Sequence, residues 1–220
     1  MAGKGLSQSA YDIILDRIVT NKYPPGSMLN EIGLQQELNI SRTPIHAAML
    51  LLQKEHLVEI RPKKGIRVTD ITAQLIGDIY NIRELFELDA LRRYGGNFSK
   101  EKLLNYHSIF SAQYAREFDH IFEKDVQFHM EIVTLSGNAL LIEYYSMLRH
   151  QFVRLSNISG HNNAARVESS NKEHLKVIEC MIQDDEEGAA QAMAAHLQKA
   201  RETAYRVVIL HNGQPVDEDS

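Results

Sequence analysis

Ile45, Ala48, Met49 and Leu52 recur at intervals of three, four and seven, one apolar stripe bounded by polar positions. The pattern predicts a helix with Ser41 as N-cap, opened by Arg42 and Thr43. Pro44 is tolerated there because first-turn amides lack partners within the helix. Arg42, Thr43 and His46 fall on the opposite, N-terminal side. Upstream, Ile32, Leu34, Gln35 and Leu38 alternate between surface and core, which predicts a helix opened by Asn30 or Glu31 and closed by Asn39. Tyr11, Ile14 and Ile18 mark an earlier helix that stops at Tyr23-Pro24-Pro25-Gly26. Downstream, residues 57–61 and 66–68 are β-rich runs around the turn Pro62-Lys63-Lys64-Gly65, which predicts a two-stranded wing. A helix that offers its first turn to solvent behind a shorter helix is what a DNA-reading helix-turn-helix requires.

From Thr72 to about residue 211 the periodicity is helical throughout. Breaks fall at Gly95-Gly96-Asn97, around residues 117–120, at Ser136-Gly137-Asn138, across Ser159-Gly160-His161-Asn162-Asn163, and near residues 184–188. They divide the region into about six helices without a strand, a bundle large enough to bury a cavity. The expected fold class is therefore mostly α. A winged helix-turn-helix (residues 1–72) precedes an all-α bundle (residues 73–212) and a frayed tail (residues 213–220).

Charge follows the same division. Residues 1–72 carry nine Lys and Arg against seven Asp and Glu, net +2, whereas residues 73–220 carry fifteen against twenty-two, net −7. Nucleic-acid contact is expected from the first part only. Arg61, Lys63, Lys64 and Arg67 place four cations on the wing, where they would track phosphates or enter the minor groove. The single cysteine, Cys180, excludes an intrachain disulfide. No apolar run approaches the roughly 18 residues of a membrane span, so a cytoplasmic protein without membrane contact is the expectation.

Taken in order, Tyr23-Pro24-Pro25-Gly26-Ser27-Met28-Leu29-Asn30-Glu31, Ser41-Arg42-Thr43-Pro44-Ile45, Leu57-Val58 and Pro62-Lys63-Lys64-Gly65 resemble the GntR-type winged helix-turn-helix across residues 7–69. The resemblance implies contact with double-stranded operator DNA, and the candidate residues are Ser41, Arg42, Thr43, His46, Arg61, Lys63, Lys64, Gly65 and Arg67. Three departures stand out: His46 where the family usually has Arg, Ala47 in place of Glu, and Ile32 in place of a basic residue. Arg42 alone remains of the usual reading arginines, so operator preference is expected to differ from the family's common one. Leu50 and Leu51 also replace commonly polar positions, and docking against the second domain is expected to cover them.

Within the bundle Asp125 and His129 stand four apart and share a helical face. His174 precedes the stripe of Leu175, Ile178 and Met181, and His196 lies among Met193, Leu197 and Ala200. Three imidazoles and a carboxylate from three helices suit zinc, nickel, cobalt or manganese, with positions left for water or a ligand. Asp125 and His129 followed by Ser136-Gly137-Asn138, Glu173-His174-Leu175 and Ala195-His196-Leu197 resemble the metal-binding form of the FCD ligand domain. That domain accompanies GntR-type heads in the FadR branch, and this chain resembles its six-helix variant. The resemblance implies that Asp125, His129, His174 and His196 bind a divalent metal, zinc foremost. His56 is expected to be exposed at a helix end, and His107, His120, His150, His161 and His211 lack a partner at ligand spacing; each is expected at the surface or satisfied.

Arg83, on the row Ile76, Ile79, Arg83 and Ala90, is the first candidate to anchor an effector, with an ion pair to Glu87 as the alternative. The resemblance adds an Arg near this point that holds a ligand carboxylate. Arg154, at the end of the helix from Leu140, is a second candidate. A metal with arginines suits a small carboxylate or sugar acid. The acyl-CoA-responsive members lack the full metal set, which argues against long thioesters.

The function expected is a homodimeric transcription regulator, a repressor released by its effector. A metal-dependent enzyme with an appended DNA-binding domain and a purely structural metal are the alternatives. No His-Glu-x-x-His helix, nucleophile motif or Gly-rich phosphate loop favours the enzyme.

Overall fold

Ile45, Ala48, Met49 and Leu52 have no exposed surface, and they pack with Ile14 and Ile18 in one apolar core. The computed structural model describes residues 2–62, 64–111, 118–160 and 164–210. Lys63, His161, His211 and the tail from residue 213 lie outside the described residues, as does the side chain of His120. The chain divides into two compact units, Met1–Ile71 and Thr72–Ser220.

In the first unit α1 (Ala2–Val19) packs against α3 (Arg42–Lys54), with α2 (Glu31–Leu38) between them in sequence. The Tyr11 hydroxyl on α1 donates to Glu55 at the end of α3, at 2.8 and 3.0 Å to the two carboxylate oxygens. The Asn30 side chain caps α2 by accepting from Ile32 N at 3.0 Å. Asn39 ends that helix in the left-handed region at φ 52°. Ser41 precedes α3 with extended backbone, but its side chain makes no capping hydrogen bond. The predicted cap is thus only positional. Leu50 and Leu51 are 50% and 44% exposed. They follow the buried Met49 by about 100° and 200° around the helix, on the side away from its stripe.

The wing is three-stranded where the pattern predicts two. Strands β2 (Val58–Arg61) and β3 (Gly65–Val68) form the expected antiparallel hairpin, and β1 (Met28–Leu29) adds to the other edge of β3, giving the order β1-β3-β2. Two residues are too few to show a strand period. Gly65 has φ +93° at the end of the turn, a conformation that a side chain there would strain.

The second unit is helical: α4 (Ala73–Tyr94), α5 (Lys100–Ser111), α6 (Phe118–Thr134), α7 (Ala139–Met147), α8 (Arg149–Gly160), α9 (Ala164–Ile182) and α10 (Glu186–Tyr205). Seven α-helices occur among the described residues of this unit because the run from Leu140 is interrupted at Leu148. Arg154 consequently sits within α8, not at the end of the helix from Leu140. Residues 118–120 and 159–160, expected in breaks, are helical. Side chains cap the turns: Thr72 accepts from Leu75 N, Asn138 from Leu141 N and Asp185 from Gly188 N. α10 packs on α4 and α9, where Ala189, Ala190 and Ala192 keep its buried face narrow. No described helix is long and apolar enough to cross a membrane.

Candidate functional site

One turn of α6 separates Asp125 from His129, α9 supplies His174, and α10 supplies His196. One ligand atom from each of these four lies within 4.8 Å of the others, a grouping that could hold a metal ion. His129 Nε2 is 3.2 Å from His174 Nε2, which in turn is 3.2 Å from Asp125 Oδ1. All three imidazoles are buried, at 1%, 0% and 3% exposure for His129, His174 and His196. Phe110 and Phe128 form an apolar wall against His174, with ring centroids at 4.6 and 5.7 Å.

A buried carboxylate, Glu87, and a part-buried one, Glu173, orient two of the rings. His129 Nδ1 donates to Glu87 Oε2 at 2.6 Å, and His196 Nδ1 donates to Glu173 Oε2 at 2.8 Å. A carboxylate only accepts, so each Nδ1 carries a proton and each ring turns its Nε2 away from the carboxylate. Glu87 also accepts from Arg83 Nε at 2.8 Å and from the Tyr145 hydroxyl. Burial opposes its charge, but Arg83, His129 and Tyr145 outweigh that and hold its pKa at about 2. Burial likewise opposes ionisation of Glu173, whereas His196, Arg166 and Ser169 bring it down to about 2. The His174 pKa lies well below the ordinary imidazole range, from burial first and then from the charges of His196 and His129. That of His196 is lowered by burial, partly offset by Glu173. Lone pairs gathered this closely repel unless a cation or proton lies among them. An imidazole and carboxylate set of this kind fits a divalent metal.

Beside this centre is a cavity of about 50 Å³, lined among others by Tyr80, Arg83, Asp125, Ser156, Arg166 and His196. Arg83 pairs with Glu87 and also lines the cavity. Arg154 is fully buried but is not among the lining residues. Sequence reasoning missed the orienting roles of Glu87 and Glu173 and the position of Arg166. Glu173 stands beside His174 in the motif, which is the one local signal for it.

In the first unit Arg42, Thr43 and His46 are exposed on the first turns of α3, as the stripe requires. Glu31 approaches two of them, with Oε1 3.0 Å from His46 Nδ1 and Oε2 3.5 Å from Arg42 Nε. On the wing Arg61 pairs with Glu59, and Arg67 donates to both oxygens of Asp70 at 2.6 and 2.9 Å. Lys64 and Gly65 are exposed at the turn. Surface pairs of this kind are worth about 0–1 kcal/mol, so phosphates can compete for these arginines.

A winged DNA-reading unit and a helical unit with a buried polar centre, in one chain, define a transcription regulator. The chain belongs to the GntR family of bacterial regulatory proteins: residues 6–68 match that family and residues 78–199 match the FCD domain. It is 28% identical to the HTH-type transcriptional regulator YdhC of Bacillus subtilis (strain 168), over 84% of this chain and 85% of that one. Identity to the HTH-type transcriptional repressor RspR of Escherichia coli (strain K12) is 24%, over 92% and 90%. Among solved structures, a GntR transcriptional regulator from Rhodococcus sp. RHA1 aligns with TM-score 0.77 at 18% identity, covering 90% of this chain and 96% of that one. The Zn2+-bound FCD domain of TM0439 aligns with TM-score 0.53 at 26% identity, covering 64% and 98%. These relatives are regulators of transcription, which sets the enzyme alternative aside.

Proposed function

We propose that this regulator is a homodimeric repressor whose second unit holds a divalent metal and responds to a small carboxylate. Asp125, His129, His174 and His196 are the assigned ligands, and zinc is the metal favoured by the imidazole-rich set and by the zinc-bound FCD relative. Bound there, the metal supplies a Lewis-acidic point with open positions for a carboxylate oxygen. Glu87 and Glu173 keep the rings in the ligand-ready tautomer. Arg83 and Arg166 provide positive charge at the cavity, where a guanidinium fixes the carboxylate's orientation. Arg154 is not assigned as an anchor, because it lies outside the cavity lining. Ser41, Arg42, Thr43, His46, Arg61, Lys64, Gly65 and Arg67 form the DNA-binding set.

The observation that carries this reading is the convergence of four potential ligand atoms within 4.8 Å, with two of the rings aimed by the carboxylates of Glu87 and Glu173. A tenfold release from operator requires about 1.4 kcal/mol of coupling between effector and DNA. A thermal-shift screen of small carboxylates, with and without chelator, tests the effector claim. Stabilisation by a carboxylate only in the metal-loaded protein supports it; stabilisation that chelator does not affect contradicts it. His174→Ala separates sensor from structural metal: a folded, DNA-binding but effector-blind variant fits the sensor, whereas loss of folding fits the structural role.

A further inference from the structure

We propose that His46 reads the exocyclic amine of a cytosine or adenine through its Nε2 lone pair, and that Glu31 is the specificity-determining residue that makes it do so. This role rests on the assignment of α3 to the major groove. Glu31 opens α2, and its Oε1 lies 3.0 Å from His46 Nδ1. The carboxylate can only accept, so Nδ1 carries a proton, and at a pH above the ordinary imidazole range Nε2 is left as an acceptor. In the major groove the hydrogen-bond donors are the N4 amine of cytosine and the N6 amine of adenine, whereas guanine presents only acceptors there. Histidine held by Glu31 therefore inverts the chemistry of an arginine at the same position, which would donate to guanine.

The surroundings suit a base edge. The His46 side chain is 49% exposed and lines a groove of about 660 Å³ with Gln35, Arg42 and Lys64. The second oxygen of Glu31 lies 3.5 Å from Arg42 Nε, while the Arg42 side chain is 78% exposed and has its terminal nitrogens for guanine. One carboxylate thus tethers both readers. Arg42 and His46 are four residues apart, about 6 Å along the helix axis, or about two base steps of 3.4 Å. The amine-bearing base is placed within about two base pairs of the guanine read by Arg42.

The test is selection by the full-length protein from a randomised double-stranded DNA library, at about pH 8, above the ordinary imidazole range. Wild type, His46→Arg, Glu31→Gln and Arg42→Ala are run in parallel, with circular dichroism as the control for folding. Wild type should favour cytosine or adenine at one position by about fivefold, the worth of one neutral hydrogen bond of about 1 kcal/mol. His46→Arg should convert that position to guanine and leave the others unchanged. Glu31→Gln can accept from or donate to Nδ1, so it should reduce the preference to below about twofold. Guanine or thymine in the wild-type selection at that position, no change with His46→Arg, or full preference in Glu31→Gln each overturns the inference. Failure of wild type to enrich any sequence, or an Arg42→Ala selection identical to wild type, overturns the underlying assignment of α3 instead.

Discussion

Glu87 accepts three hydrogen bonds with no exposed surface, and one of the three fixes the tautomer of a proposed ligand ring: His129 must donate from Nδ1. Replacing Glu87 by Gln keeps the shape but removes the charge that faces Arg83 and His129. Metal affinity should fall about 10- to 100-fold in chelator competition, and unchanged affinity would contradict the orienting role. Glu87→Ala leaves Arg83 buried without its partner and should cost about 3–5 kcal/mol in urea unfolding of the metal-free protein. The folded pKa of Glu87 is depressed to about 2. Its contribution to stability is therefore present above the ordinary carboxylate pKa of about 4.3 and is lost as pH falls toward 2. The convergence of the four proposed ligands was legible because each sits on a helix face beside a recognisable motif. Glu87 was not, because it meets His129 from 42 residues away, a distance that only the packing of α4 on α6 closes.

At the scale of elements, α3 is the most legible part of the chain, since one stripe of period 3.6 dictates both its buried side and the first turn it exposes. Met49→Ala should cost about 2–5 kcal/mol in chemical denaturation, and a change below about 0.5 kcal/mol would refute its place in the core. The wing's outer strand and the break at Leu148 were not legible. β1 is two residues long, and α7 and α8 are separated by a single residue that keeps near-helical dihedrals, so neither disturbs the hydrophobic pattern. Ser41 shows a different limit, for a residue type suited to capping occupies the position without making the bond. At the wing turn, Lys64→Ala should weaken binding to all DNA sequences alike and reduce the salt slope by about 0.9 for each phosphate that the variant leaves unneutralised. Anisotropy titrations over a range of salt would measure this, and a weakening confined to one sequence would argue for base reading by Lys64.

The whole molecule joins a cationic reading unit to an acidic helical unit, and the proposed metal centre belongs to the second alone. Metal binding should stabilise that unit by mass action, so removal with chelator should lower its melting temperature without changing the intrinsic affinity of α3 for phosphates. The charge division and the family motifs made this organisation readable in advance. The cavity beside the proposed metal centre was less so, because Arg83 and Arg166 reach it from helices far apart in sequence. The most direct test is the divalent metal content of purified full-length protein, measured by plasma mass spectrometry after zinc loading and desalting. Wild type is expected to retain one ion per chain, and His174→Ala, with unchanged helical circular dichroism, is expected to lose it. A wild type that retains no ion, or a His174→Ala protein that retains it in full, would contradict the metal centre.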